Sequence, residues 1–429
     1  MVRGLRKYLT PFAPDQSGAV SLLYELGGMV VILDAGGCTG NICGFDEPRW
    51  SSERSAIFSA GLRDMDAIMG RDRALVEKIA GAQEKLRKKF IAIVGTPVPA
   101  VIGTDYQALR RMLEKRVSVP VLCIETNGMK SFEYGAEKAY LALLSAFAIP
   151  AEDEDNAVVP KSRSETLRTG VFGTFPMTES DPREREWIQA EMSDSLCFYG
   201  HGAGLEDYRR ASENAWNLVT SVPGLAAAKE LKKRFGTPYR VTHPAARALL
   251  KKAWNQLSEK DGKRYQVPDT VESSAAITSR FSGEKPQRIL IVQEQVLGNS
   301  LRELLRHSFT SDGQTAASLE IHVMSFFKML PEWMEAGDRF LTEESELWRL
   351  LQPMQDREQG TEAASTEKAS TETADSFEIQ PQDAGYDLIL GDPVLKKMLP
   401  PDFSGCFLEI PEPAISGFPA PMAIGGQNA

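Results

Sequence analysis

Thiols and imidazoles are scarce in this chain of 429 residues, which has five cysteines and four histidines. An odd, small set of thiols excludes a disulfide framework and fits a reducing cytoplasm, where the chain is expected. Positive charge is also in deficit. Lys and Arg number 49 against 59 Asp and Glu, a formal net charge of −10, which argues against duplex DNA or an anionic membrane as the main partner. The short basic clusters Lys85-Leu-Arg-Lys-Lys89 and Lys232-Lys-Arg234 read as solvated helix faces, the first near a helix C-terminus where cations are favoured. No apolar run approaches the ~18 residues a membrane helix needs. Residues 1–10 are basic but lack the apolar core of a signal peptide. No P-loop, Walker lysine or Ser-His-Asp grouping occurs, so this chain is not expected to bind or hydrolyse a nucleotide itself. His243, His307 and His322 stand isolated, without the spacing of a zinc site.

What remains is an ordinary globular composition, 42% hydrophobic and 25% charged, on a chain long enough for two to three domains. Short apolar strands are expected at 29–33, 90–94, 119–124, 168–172, 196–199, 217–220, 288–292, 320–324 and 387–390. Several are continuous apolar runs, as in parallel strands covered on both faces. Helical spacing joins Leu75, Ile79, Ala82, Leu86 and Phe90, then Tyr106, Leu109 and Leu113. It recurs in Leu225, Ala228, Leu231 and Phe235, where Gly236-Thr-Pro238 stops the helix, and in Leu297, Leu301 and Leu304. Strand followed by helix, repeated, is the pattern of a doubly wound α/β fold. Three blocks emerge: 1–151, 152–275 and 276–429. Within the last, 355–385 carries eight acidic and two basic residues and a single aromatic, Phe377. It buries too little apolar surface to offset its ordering entropy and reads as a disordered acidic insertion.

The chemistry concentrates after the first strand, in Asp34-Ala-Gly-Gly-Cys38-Thr-Gly-Asn-Ile-Cys43-Gly-Phe-Asp-Glu-Pro-Arg-Trp50. Ligands bind at strand ends in α/β sheets, and thiolates there are candidate iron–sulfur ligands. Cys38 and Cys43, with Gly37 and Gly40 giving the backbone room, are the candidate cluster-binding residues. Two thiolates cannot complete a four-cysteine cluster, whereas the same pair repeated across a twofold axis can. The alternative is a small buried thiol at Cys38 and a surface thiol at Cys43. Asp46, Glu47 and Arg49 are placed to orient a substrate or a docking partner, with Trp50 packed nearby, or else they form a solvated turn. Gly200-His-Gly-Ala-Gly204 follows another strand. His201 within it is the candidate catalytic acid or base, since histidine titrates near neutral pH; the plainer reading is a turn histidine in water. Cys123 reads as core and Cys406 as structural.

The Gly-Gly-Cys-Thr-Gly-Asn run after a buried strand resembles nitrogenase component 1, the family of the molybdenum–iron protein subunits and their nitrogenase-like relatives. Thr96-Pro-Val-Pro-Ala-Val-Ile-Gly-Thr-Asp105 and Val119-Pro-Val-Leu-Cys-Ile-Glu-Thr-Asn-Gly128 resemble the next two strand-and-turn segments of that family. The stretch from Asn217 to Gly236-Thr-Pro-Tyr239 resembles its middle domain. Asp392-Pro and Pro411-Glu-Pro-Ala-Ile-Ser-Gly417 extend the likeness toward the C-terminus. The chain looks like the short component-1-like proteins of anaerobes more than like a true nitrogenase.

The resemblance implies three Rossmann-like doubly wound domains with parallel sheets around a central cleft. It implies a homodimer, or a pairing with a paralogous component 1 subunit, and an ATP-dependent iron–sulfur reductase that docks on the dimer and delivers electrons. The cofactor implied is a 4Fe–4S cluster bridging two chains. Of the three interface cysteines of a nitrogenase, only Cys38 has a counterpart here. The upstream one falls near 17–21, which holds serines, and the Cys-Pro cysteine falls on Thr96. The cysteine that ligates the large active-site cofactor falls near Thr220, and its histidine partner has no match. Reduction of an unknown substrate, a small unsaturated molecule or a tetrapyrrole-like ring, is therefore expected in place of dinitrogen chemistry. The alternatives are a non-catalytic scaffold for cluster or metallo-cofactor assembly, and a degenerate partner of a cysteine-complete paralogue.

Overall fold

The computed structural model describes residues 6–70, 72–150, 167–192, 195–260, 287–310, 319–352 and 385–411. Apart from Gly385, the acidic segment 355–385 lies outside them. Thirteen strands are present among the described residues: β1 (Met29–Ile32), β2 (Ala56–Ser59), β3 (Ile91–Val94), β4 (Val121–Ile124), β5 (Arg168–Phe172), β6 (Ser195–Tyr199), β7 (Trp216–Val219), β8 (Tyr239–Val241), β9 (Arg288–Val292), β10 (Glu320–Ser325), β11 (Arg339–Phe340), β12 (Leu388–Gly391) and β13 (Cys406–Glu409). They form three sheets with orders β2-β1-β3-β4, β6-β5-β7-β8 and β11-β10-β9-β12-β13. Every pairing between these strands is parallel. This is the expected α/β class with Rossmann-like, doubly wound sheets.

All nine expected strands are present, and four more appear: β2, β8, β11 and β13. Each of the four is an edge strand. The helix expected to run to Phe90 ends sooner, as Asp72–Leu86. Arg87 then takes φ 49°, and wholly buried Phe90 leads into β3. The glycine stop holds, since Gly236 has φ 76° and its N–H closes on Lys232 O.

The chain divides into two compact units. One spans 11–245 and carries the first two sheets. The other combines 246–412 with 2–10 and carries the third. In the second unit, Glu344 gathers the backbone N–H groups of Lys7, Tyr8 and Leu9 at 2.7–3.2 Å, which fixes the N-terminal strand of chain against it.

In the first sheet, β1 and β3 are apolar and buried throughout. Met29, Val31, Ile91 and Ile93 pack with Val76, Ile79, Leu109 and Leu113 from the helices Asp72–Leu86 and Tyr106–Glu114. The pleat turns Val30, Ile32, Ala92 and Val94 to the other face. There the helices Asp15–Leu23 and Phe132–Phe147 approach so closely that only glycine fits between them. A Cβ on Gly18 would stand 2.0 Å from Phe132 O, and one on Gly135 would stand 1.6 Å from Asp15 O. That contact seats Asp15–Leu23 beneath the cysteine segment.

Candidate functional site

Order β2-β1-β3-β4 means that the chain leaves β1 toward one side and β3 toward the other. The crevice between their C-terminal ends is the switch point where α/β sheets bind ligands. Cys38 stands on the segment after β1, and Thr96 on the segment after β3. The Thr96 hydroxyl is wholly buried and donates to Leu33 O at 2.6 Å, and its side chain opposes the rise that burial causes in the Cys38 pKa.

The expected glycine loop is partly helical. Asp34 is buried, and its carboxylate accepts from Thr39 N at 2.8 Å, Thr39 Oγ1 at 3.0 Å and Ser59 Oγ at 2.6 Å. Those bonds, from two residues before the N-cap Gly36, satisfy a first-turn N–H of the short helix Gly37–Asn41 that carries Cys38 and Gly40. It continues as a π-helical turn, Ile42–Asp46, that carries Cys43. Such turns recur at functional sites, because the extra residue per turn re-aims a side chain. Both thiols are partly exposed. Burial, then the Asp34 charge, raises the Cys38 pKa. Burial, Glu47 and Asp34 push Cys43 up to about 11.

The acidic and basic residues that follow turn inward and hold this segment in place, which corrects the expectation of a substrate-facing set. Asp46 accepts from Ser17 Oγ at 2.6 Å and Asn41 Nδ2 at 3.0 Å. Glu47 caps the next turn and pairs with Arg49 at 2.7 and 2.8 Å. Arg49 also reaches Glu25 at 2.8 Å and Ser21 O at 2.6 Å. Glu25 in turn accepts from Gly202 N at 2.8 Å, so one carboxylate joins the cysteine segment to the glycine turn of the second sheet.

His201 lies in that turn after β6. Its Nδ1 is 2.9 Å from Glu179 Oε1, and Glu179 is buried beneath it. Thr220, where a cofactor cysteine would fall, is buried with its hydroxyl on Phe172 O at 3.2 Å. Cys123 is partly buried on β4, with its Sγ 3.5 Å from Tyr106 O, and Cys406 is buried on β13. His322 contacts Tyr386 OH at 3.0 Å. A cavity of about 250 Å³ opens on the β2 side of the first sheet, between Leu62, Leu75, Ile102, Asp66, Asp105 and Lys78, and neither thiol lines it. No helix among the described residues is long and apolar enough to cross a membrane.

Sequence reasoning missed Asp34, Ser17, Glu25 and Glu179. Each is an acid or hydroxyl whose partner is distant in the chain, so spacing gave no signal except at Asp34, which lies five residues before Thr39.

A family model described as nitrogenase component 1 type oxidoreductase matches residues 16–275, more than half of the chain. The protein belongs to that family. The nitrogenase iron-molybdenum cofactor biosynthesis protein NifE of Klebsiella pneumoniae is 26% identical over 192 residues, which are 42% of this chain and 41% of NifE. The chain thus aligns with less than half the length of that curated relative. A solved nitrogenase structure, Nitrogenase Cp1 at pH 6.5, superposes with TM-score 0.56 at 12% identity, covering 97% of this chain and 88% of that one. The likeness to Cp1 concerns the fold.

Proposed function

We propose that this protein is the electron-accepting subunit of a two-component reductase, built from three Rossmann-like domains at 1–151, 152–275 and 276–429. Two chains, or one chain and a paralogous subunit, meet over the cysteine segments. Cys38 and Cys43 of each chain hold a 4Fe–4S cluster between them. An ATP-dependent iron–sulfur reductase supplies the electrons, and an unknown substrate is reduced. When bound, such a cluster supplies a one-electron relay of low potential. Among the described residues no three His, Cys, Asp or Glu side chains gather as a metal site, so this reading draws the remaining ligands from the second chain.

The observation that carries the proposal is the placement of Cys38 at the β1/β3 crevice with Cys43 one short turn away. Exposed apolar side chains support a covered interface there. Phe45 is 62% exposed, Val101 85% and Met129 64%. All three stand on segments that leave the C-terminal ends of strands of the first sheet, where a second chain over that edge would cover them. In this reading Thr96 orients Cys38, Asp34 shapes the helix that carries it, and the Glu47–Arg49–Glu25 chain ties the segment down.

One observation favours a second reading. Ser17 and Thr96, which the resemblance sets at two of the family's cysteine positions, each donate a hydrogen bond elsewhere, and a matched relative is a cofactor-biosynthesis protein. A scaffold that receives and passes on a cluster needs fewer permanent ligands. Anaerobic purification with iron counting and electron paramagnetic resonance tests both. A resident cluster gives stoichiometric iron that Cys38→Ala and Cys43→Ala each abolish, with a dithionite-dependent signal. Iron that transfers to an acceptor protein on mixing supports the scaffold. Iron unchanged in both variants refutes both readings.

A further inference from the structure

Cys43 and Phe45 share the π-helical turn Ile42–Asp46. Such a turn holds one residue more than the α-helical count, so the chain after it can advance or retreat by a residue as the turn rewinds. Glu47 is the residue that ends it. From there a line of hydrogen bonds leaves the first sheet. Arg49 Nε and Nη2 donate to Glu47 at 2.7 and 2.8 Å, and Nη1 donates to Glu25 Oε1 at 2.8 Å. The guanidinium lies 4.6 Å from the centre of the Tyr24 ring. Glu25, two residues past the helix Asp15–Leu23, accepts from Gly202 N at 2.8 Å with its other oxygen. Side-chain exposures of 1% for Glu47, 12% for Arg49 and 25% for Glu25 keep most of this line out of water, where its bonds are stronger.

The far end of the line is the turn after β6. Gly202 has φ 104°, and a Cβ there would stand 3.4 Å from Arg185 Nη1. Arg185 donates to His201 O at 3.2 Å, and Glu179 Oε1 lies 2.9 Å from His201 Nδ1. Arg185 and Glu179 hold the turn from the second sheet's own segments, whereas Glu25 holds it from the first. The two oxygens of a planar carboxylate are fixed relative to each other. Glu25 therefore cannot follow Arg49 without pulling on Gly202.

We propose that the π turn and the His201 turn move as one body, joined through Arg49 and Glu25, and that rewinding the first re-aims the His201 imidazole. Glu25 is the positioning residue of this joint. Its use rests on the reductive reading above: the second chain or reductase of that reading covers Phe45, which is 62% exposed, presses on the π turn, and so sets His201 only while it is docked. The device needs two discrete arrangements of one element, and the surplus residue of the π turn supplies them.

The chain has only four histidines, so 15N-histidine labelling of the full protein gives four imidazoles to follow by NMR at one fixed pH. His201→Gln and His243→Gln assign two of them. Deletion of Gly44 removes the surplus residue, and no side-chain contact goes with it, since a Cβ at Gly44 would meet nothing within 4 Å. The joint predicts that this deletion shifts the His201 signals and leaves those of His243, which contacts Glu184, in place. In a Glu25→Ala background the deletion should leave His201 where Glu25→Ala alone puts it. The Gly202 amide should also exchange about tenfold faster in Glu25→Ala than in wild type, through loss of its charged acceptor. His201 signals that ignore the deletion, or that shift equally with and without Glu25, overturn the proposal. The signals of His243, His307 and His322 report whether each variant is folded. If the deletion unfolds the protein, Asn41→Ala, which takes one donor from Asp46 at the end of the turn, replaces it in both backgrounds. If Glu25→Ala unfolds, Glu25→Gln, with one acceptor oxygen for two partners, replaces that. The measurement needs neither iron nor a partner protein, so loss of the cluster reading leaves its result standing, and the reverse also holds.

Discussion

Asp34→Asn separates two jobs of one buried carboxylate. It organises the helix that carries Cys38, and it contributes charge against ionisation of both thiols. Cys43, at about 11, has the larger displacement from its ordinary 9.0, with burial the first cause. At pH 8 a thiol of that pKa is about one part in a thousand thiolate, against about one part in ten for the ordinary value. The rarer thiolate is also more nucleophilic. With a Brønsted slope of about 0.45 over two units, this restores about eightfold. The net expectation is that iodoacetamide modifies Cys43 about tenfold more slowly than a free cysteine. Asp34→Asn removes one negative charge that opposes ionisation at each site, so Cys38 and Cys43 both speed up. Cys43 still lags, because burial and Glu47 remain.

Rates for the two sites are read separately by quenching the anaerobic, iron-free protein and measuring the modified peptides by mass spectrometry. The variant also exchanges a charged acceptor of three hydrogen bonds for a neutral one. It should cost about 1–3 kcal/mol in urea unfolding. Modification of Cys43 at the free-cysteine rate refutes the burial argument. Unchanged rates in a folded Asp34→Asn refute the electrostatic one.

Arg49→Ala leaves Glu47 buried without its partner, and loss of about 3–5 kcal/mol in urea unfolding is expected; a change below about 1 kcal/mol means that the clamp is dispensable. Glu25 lies below its ordinary pKa, because its contacts with Arg49 and Gly202 outweigh the opposing effect of burial. A lowered carboxylate binds fewer protons folded than unfolded. Its stabilisation is present above the unfolded value of 4.5 and is lost as pH falls through the lower folded value. Unfolding curves for wild type and Glu25→Gln should therefore converge on acidification through that range, and a constant gap would count against the bridge. Tyr140 is wholly buried, donates to Tyr199 O and accepts from Gly173 N. Tyr140→Phe should cost about 1–3 kcal/mol, most of it from the stranded backbone groups. Gly135→Ala meets Asp15 O and forces the helices Asp15–Leu23 and Phe132–Phe147 apart, which should lower stability by at least about 1–3 kcal/mol and loosen protection of the cysteine segment in hydrogen exchange.

The central strands were legible in the sequence because parallel strands covered on both faces must be apolar at every position, and Met29-Val-Val-Ile or Ile91-Ala-Ile-Val has few other uses. Four of the six edge strands were not. β2, β8 and β11 are half exposed and only two to four residues long. They are strands because a neighbour offers a ladder, a fact absent from their own residues. β13 is mostly buried, but its four residues follow a proline- and glycine-containing stretch that reads as a turn. The site divides in the same way. Cys38 announced itself through glycines and a preceding strand, which are local signals. Asp46 and Arg49 looked like a polar turn, and their inward orientation depends on Ser17, Ser21 and Glu25, a long way back in the chain.

The same division bears on the family's absent cysteines. Ser17 and Thr96 are not vacancies filled by chance hydroxyls. Ser17 donates to the buried carboxylate of Asp46 on the segment that carries Cys43, and Thr96 donates to Leu33 O just past the end of β1. Both hydroxyls are committed to hydrogen bonds within the segments around the thiols. Ser17→Cys therefore takes the 2.6 Å hydroxyl donor away from Asp46 and should cost about 1–3 kcal/mol before any iron is bound. If Ser17→Cys is as stable as the wild type, the serine is idle and does not hold the segment that carries Cys43.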